Sequence, residues 1–275
     1  MTNHETPAGF TTRLIDLSND TEISRTEYFE YSAISPDGEL LLSPPNDDGK
    51  IELRNSHTLD FIRQVTLDEA DPSALRSALH RGFSEDGRVA YVLQTNGLVQ
   101  FWDATTGKLR GQLRTRAVKV KRSVLSQDGR WFALSHTFPY DASLYSTTTG
   151  QERVLSGHTE FVKGLSFSPD GHQLATAGVD AKVRLWETAT GKLITTLTGH
   201  LQEATDVAYS PDGKTLASIE ERTVIKLWRL DTFREVASLA DGRVTHRLAF
   251  SPDGQYLAIQ HTDATLSVLR APRGE

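Results

Sequence analysis

Three groups of residues in this chain have types and spacings that chemistry could use. Asn46-Asp47-Asp48-Gly49 resembles the opening of a calcium loop, since Ca²⁺ takes about six to eight oxygen ligands. The later ligands of such a loop do not follow, and the same residues suit a turn between strands. Arg114-Thr115-Arg116-Ala117-Val118-Lys119-Val120-Lys121-Arg122 is a basic run suited to a carboxylate or a phosphate. It has no interleaved aromatic residues for stacking bases. Glu30, Asp47, Glu221 and His246 are the residue types of acid–base or metal chemistry, but only a fold could gather them from such separations. The chain lacks Gly-x-Ser-x-Gly, Gly-x-x-x-x-Gly-Lys and His-Glu-x-x-His, the local arrangements that build a nucleophile elbow, a phosphate cradle or a zinc site.

The elements that must position these residues repeat. Phe167-Ser168-Pro169-Asp170-Gly171 has Ser-Pro-Asp-Gly counterparts starting at Ser35, Ser210 and Ser251, with looser copies starting at Ser84 and Ser126. The serines stand at 35, 84, 126, 168, 210 and 251, a period near 42 with a first interval of 49. A period of about 40 to 45 residues carrying four strands is that of a propeller blade. In each copy one apolar strand runs into the turn and another leaves it. Pro169 presets φ, Asp170 can accept from the backbone two residues on, and Gly171 takes a positive φ without steric cost. The aromatic residues ahead of the turns, Phe83, Phe167, Tyr209 and Phe250, belong to the core between neighbouring blades.

The fourth copy is the clearest, with strands expected at 161–167, 173–177, 182–186 and 192–197. Residues 1–10 read as a flexible polar tail, 11–271 as a single propeller and 272–275 as the end of the chain. Residues 11–17 form a strand without a blade, whereas the last repeat shows only three strands, at 248–250, 256–260 and 265–269. Pairing the first strand with the last blade would close a six-bladed ring and remove two open edges. A seven-bladed ring completed by another chain, or an incomplete ring, stays open. The long first interval places extra residues at 67–74, either a tolerated insertion or an acidic lip to a binding site.

Composition narrows the classes. Across 275 residues, 37% hydrophobic and 24% charged, the net charge is −6, which gives no general attraction for nucleic acid or an anionic membrane. With no cysteine, disulfides, thiolate metal sites and cysteine nucleophiles are excluded. Neither a basic-then-apolar leader nor a run of about 18 apolar residues is present. The expectation is a soluble, cytoplasmic protein without a membrane partner.

Gly157-His158 before the first strand, Asp180 between the second and third, and Leu185-Trp186-Glu187 closing the third make the fourth repeat resemble a WD repeat. Gly199-His200 with Leu227-Trp228-Arg229 continues the resemblance in the fifth, and Phe101-Trp102-Asp103 in the second. Together it covers about residues 11 to 270. The resemblance implies a blade-stiffening set of His, Ser or Thr, Asp and Trp, complete only in the fourth repeat as His158, Thr176, Asp180 and Trp186. Repeats one, three and six, with Arg54, Tyr145 and Leu269 at the tryptophan position, are expected to rely on packing.

The resemblance further implies a bacterial-style interaction scaffold or adaptor, without enzymatic activity or cofactor. It would dock a protein or peptide around the channel mouth, as a monomer or a subunit of a complex. Carried over by position, the partner-binding residues are Lys163, just after the first apolar residue of the innermost strand in the fourth repeat, and its equivalents Glu30, Leu79, Lys121, Thr205 and His246. A second set precedes the turn aspartate: Asp47, Thr95, Val179, Glu221 and Thr262. Arg116, Lys119, Phe161 and Glu203 adjoin them. The basic run beside Lys163 points to an acidic or phosphorylated partner. The alternative is a propeller hydrolase using Glu30, Asp47, Glu221 and His246, with or without a metal.

Overall fold

The computed structural model describes residues 12–16, 21–26, 33–43, 50–67, 78–116, 119–137, 139–221, 224–240, 242–263 and 265–270. Every regular element among them is a β-strand. Six antiparallel sheets follow one another along the chain, each pairing its strands in sequence order as the blades of a propeller do. Blade 1 comprises Ala33–Ile34, Leu40–Leu42, Lys50–Asn55 and Phe61–Thr66, and blade 2 Ala78–Phe83, Val89–Gln94, Leu98–Asp103 and Leu109–Arg114. Blade 3 comprises Val120–Leu125, Trp131–His136, Ala142–Ser146 and Glu152–Leu155, and blade 4 Val162–Phe167, Gln173–Gly178, Lys182–Glu187 and Leu193–Thr198. Blade 5 comprises Ala204–Tyr209, Thr215–Glu220, Val224–Arg229 and Arg234–Ala240. Blade 6 has three strands among the described residues, Thr245–Phe250, Tyr256–His261 and Leu266–Arg270. The strands expected in the fourth repeat are present to within one residue at each end.

One expectation needs correction. Strand Thr12–Asp16 pairs antiparallel with Thr21–Thr26 in a two-stranded sheet of its own, rather than with the last blade. A partner only a few residues away costs far less loop-closure entropy than one at the other end of the chain. The terminal segments 1–10 and 272–275 lie outside the described residues, as does the 68–77 part of the long first interval.

The Ser-x-Asp-Gly turn works as a closed hydrogen-bonded unit. In blade 4 the Ser168 hydroxyl donates to Asp170 and accepts from Gln173 N at 2.9 Å, while Asp170 Oδ1 accepts from His172 N at 2.9 Å. Gly171, at φ +70°, donates back to the Ser168 carbonyl at 2.8 Å. The serine–aspartate bond recurs from Ser35, Ser84, Ser126, Ser210 and Ser251. It survives where Glu85 or Gln127 replaces proline, so the serine–aspartate pair, and not the proline, is the constant part of the turn.

The chain divides into two compact units, Met1–Arg114 and Thr115–Glu275. In the first, Leu42, Ile51, Leu53 and Val65 of blade 1 pack on Ala90, Val92 and Trp102 of blade 2. In the second, an apolar layer fills each junction between consecutive blades. Leu144 and Leu155 meet Phe167 and Trp186; Val183 and Leu185 meet Val207 and Trp228; Ile219 and Ile225 meet Leu257 and Ile259. Phe167 and Tyr209 are buried, and Phe83 and Phe250 pack against these clusters, as expected of the aromatics ahead of the turns. Each fully buried large side chain contributes about 1.5–3 kcal/mol by removal from water.

Candidate functional site

The candidate site lies in the second unit, at the end of blades 3 to 6 opposite the Ser-x-Asp-Gly turns, where each first strand begins. In blades 2 to 6 the pairing of first and second strands skips one residue on the first: Leu79, Lys121, Lys163, Thr205 and His246. These are β-bulges, which release a residue from strict alternation and re-aim it. They coincide with the positions carried over from sequence, apart from Glu30, which lies outside the described residues.

The second set stands across from them. Val179 N donates to the Phe161 carbonyl, and Glu221 N to the Glu203 carbonyl, both at 2.8 Å. Thr262 N donates to the Val244 carbonyl at 2.9 Å and Thr137 N to the Lys119 carbonyl at 3.0 Å. Each blade of the second unit therefore ends in a strapped pair plus a bulge. Thr137 and Val244 belong to this set but escape sequence reading. The extra residue around Phe138-Pro139-Tyr140 breaks the blade-3 spacing. Thr95 occupies the corresponding turn of blade 2, and Asp47 lies outside the described residues.

The basic run does not act as one patch. Arg116 Nε donates to Glu152 Oε1 at 2.7 Å and its Nη2 to Ser143 Oγ at 3.2 Å, which makes it a structural member of blade 3. The bonds to Glu152 raise its pKa above the ordinary value. Arg122 Nη2 donates at 3.1 Å to Asp206 of blade 5, whose other oxygen accepts from Leu248 N of blade 6 at 3.0 Å. The Asp206 carboxylate is 1% exposed, so the arginine supplies the countercharge that burial demands. Blade 4 passes between with Gly164, where a Cβ would stand 2.8 Å from Asp206 Cα; that approach requires glycine. Lys163 Nζ donates to Glu203 Oε2 across the blade 4–5 junction. Lys119 and Lys121 are the exposed members of the run that form no ion pair among the described residues.

Behind the bulge end, buried and half-buried polar groups fasten blades 3, 4 and 5. In blade 4 Trp186 Nε1 donates to Thr176 Oγ1 at 2.9 Å, Thr176 Oγ1 lies 2.7 Å from His158 Nε2, and His158 Nδ1 lies 2.9 Å from Asp180 Oδ1. Burial lowers the His158 pKa despite the Asp180 carboxylate, so the ring is neutral near pH 7. Burial pushes Asp180 up, but bonds from His158 and Arg184 overcome it and hold the acid at about 2.

The set is not confined to the fourth repeat, as the sequence suggested. In blade 5 Trp228 Nε1 donates to Ser218 Oγ at 2.8 Å, His200 Nε2 lies 2.6 Å from that hydroxyl, and His200 Nδ1 lies 3.2 Å from Glu220 Oε2. The carboxylate comes from the last residue of the second strand instead of the following turn. Blade 4 has Gly178 there, and a Cβ would fall 2.3 Å from His158 Nδ1. Blade 3 likewise rests on more than packing: Tyr145 Oη donates to Glu152 Oε1 at 2.8 Å, and His136 Nε2 lies 3.0 Å from Ser143 Oγ.

Among the described residues no three His, Asp or Glu side chains converge as a metal site. Of the hydrolase set, Glu221 and His246 stand on blades 5 and 6, while Glu30 and Asp47 lie outside the described residues. A cleft lined by Pro169, Tyr209, Pro211 and Arg229 opens at the turn end of blades 4 and 5, away from the bulges.

Comparison with known proteins places family matches on the best-formed blades. The model for the WD40 family (WD domain, G-beta repeat) matches residues 150–187 and 191–229. Each match runs from the outer strand of one blade through the first three strands of the next. An uncharacterised WD repeat-containing protein of Synechocystis sp. is 30% identical over 113 residues, 41% of this chain and 32% of the relative. Periodic tryptophan protein 2 of Arabidopsis thaliana is 28% identical over 186 residues, 64% of this chain and 20% of the relative. Anaphase-promoting complex subunit cdh1 of Dictyostelium discoideum is 27% identical over 145 residues, 51% and 18% of the two chains. The chain thus spans about a third or less of the length of these relatives.

Proposed function

Two segments of this chain match the WD40 repeat, and from that premise we propose that it is a protein-interaction scaffold whose partner docks at the bulge end of blades 3 to 6. The observation that carries the reading is the bulge repeated in the second unit at Lys121, Lys163, Thr205 and His246. The bulge geometry is constant while the residue type is not. The blades therefore hold a set of positions free to vary without loss of the core, which is how a rigid scaffold specifies a partner. A relative named as a subunit of the anaphase-promoting complex supports a role within an assembly. The exposed cations Lys119 and Lys121 favour an acidic or phosphorylated group on the partner.

Affinity capture from source-cell lysate, followed by mass spectrometry, tests the reading. A protein retained by the natural chain and lost by a folded Lys119→Glu, Lys121→Glu variant is the expected result. Retention of the same protein by both would move docking elsewhere, with the cleft at the turn end next to be tested.

A further inference from the structure

We infer that the bulge end of blades 3 to 5 takes a linear protein segment with segregated charge: acidic at one end, apolar in the middle and basic at the other. This rests on docking at that end and adds the chemistry of what docks.

Three consecutive blades each present a different chemistry there. Blade 3 offers Lys119 and Lys121, both exposed. The Lys119 backbone is held at φ +52° and strapped to Thr137, so the two cations stand on a fixed edge. Blade 4 offers the half-buried pair Phe161 and Val179. Tyr140, leaning over from blade 3, meets the Phe161 ring edge-on at 4.9 Å between centroids and 84° between planes. Blade 5 offers Glu203 and Glu221 as its strapped pair, with Leu201 beside them at 90% exposure. Lys163 answers part of the Glu203 charge; among the described residues no ion pair engages Glu221. The order across neighbouring blades is basic, apolar, acidic.

That order selects the partner. Two or three apolar side chains form an anchor for one or two partner residues, far below the ~1,600 Å² of a standard folded interface. An extended segment advances about 3.3 Å per residue, so one short stretch reaches from blade to blade. Its acidic end would lie over Lys119 and Lys121, its apolar residue against Phe161, and its basic end over Glu221. A segment of the same composition with alternating charges would set like against like in both outer sectors, and such juxtaposition steers partners apart.

The test is fluorescence polarisation at low and at physiological salt, using labelled synthetic peptides of about twelve residues. One carries aspartates, then Leu-Phe, then lysines; a second has the same composition with charges alternating. The segregated peptide should bind at least ~10-fold more tightly, about 1.4 kcal/mol. Lys119→Glu with Lys121→Glu should weaken it ~10-fold but leave a peptide with asparagine in place of aspartate unaffected. Glu221→Lys should act correspondingly on the lysine end, and Phe161→Ala on both peptides. Unchanged circular dichroism and melting would confirm that these surface variants fold. Equal binding of segregated and alternating peptides would overturn the inference. So would sensitivity to the lysine variants alone, which indicates a purely acidic partner. Binding of neither peptide, with lysate capture still abolished by the lysine variants, indicates a folded partner: docking then stands and the segment does not. Capture untouched by all these variants would remove the docking site itself.

Discussion

Blades 3 and 4 hold the same strands in the same order by different means, and one residue accounts for the difference. In blade 4 the indole of Trp186 can only donate, so its partner is a hydroxyl on the second strand, Thr176, which passes the chain to neutral His158 and on to Asp180. In blade 3 the same position is Tyr145, whose phenol both donates and accepts. It reaches outward to Glu152 on the fourth strand and accepts from Arg116 N at 3.2 Å. The network therefore moves one strand outward and becomes ionic, drawing in Arg116, which a reading of charge alone would give to a partner. A tryptophan-to-tyrosine change in such a blade relocates the fastening, which is why a repeat can lose its signature residue and keep its shape.

The largest expected effect separates the two blades directly. Trp186→Ala should cost about 3–5 kcal/mol in urea unfolding, because it opens the core and takes one of its donors from the Thr176 hydroxyl. Tyr145→Phe keeps the ring and should cost only about 1–2 kcal/mol; equal losses would mean that both aromatics act by packing alone. Glu152→Ala comes next, at about 2–3 kcal/mol, since it strips an acceptor from Ser143, Tyr145 and Arg116 together. A smaller loss than that of Tyr145→Phe would show that Glu152 is not the centre of the blade-3 network.

Acidity should distinguish the blades by pH window. His158 and His200 are both held below the ordinary histidine value by burial. The unfolded chain, with histidines near 6.5, binds more protons than the folded one as pH falls through that value. Melting temperature should therefore decline from pH 7 toward pH 5, and His158→Gln should flatten part of that slope. Glu152 behaves otherwise: burial pushes its pKa up, but bonds from Ser143, Tyr145 and Arg116 win and lower it. Its stabilisation is intact above the ordinary glutamate value of about 4.3 and disappears only as pH falls through the lowered one. A Glu152→Gln variant with an altered slope between pH 7 and 5 would contradict this assignment.

The smallest effect concerns the turn after the second strand of blade 4. Ala181 sits at φ +59°, where blade 2 has Gly97 at +82°. Ala181→Gly should relieve up to about 1 kcal/mol of left-handed strain, less what glycine loses in chain entropy. A measurable fall in melting temperature would show that the alanine methyl contributes packing outweighing its strain.

Much of this was legible beforehand because it depends on contacts between residues close in sequence. Ser168, Asp170 and Gly171 close a turn among themselves, so the spacing of their copies counts the blades, and strands running between such turns alternate as local geometry dictates. The positions of Lys121, Lys163, Thr205 and His246 were likewise readable, since each bulge stands five residues ahead of its turn serine. The role of Arg116 was not, because its partner Glu152 lies 36 residues away. Nor was the carboxylate of blade 5, where Glu220 replaces a turn residue from a different strand position.

The sequence by itself determined the all-β class, the six repeated blades, the turn chemistry and the edge on which variable residues stand. Only the tertiary structure decided which charges are spent inside the molecule and which remain outside. Arg116, Arg122 and Lys163 find carboxylates on other strands or other blades, whereas among the described residues Lys119 and Lys121 do not. A local pattern specifies backbone geometry because turn and strand energies are local; the pairing of long charged side chains depends on which blades the packing brings within reach.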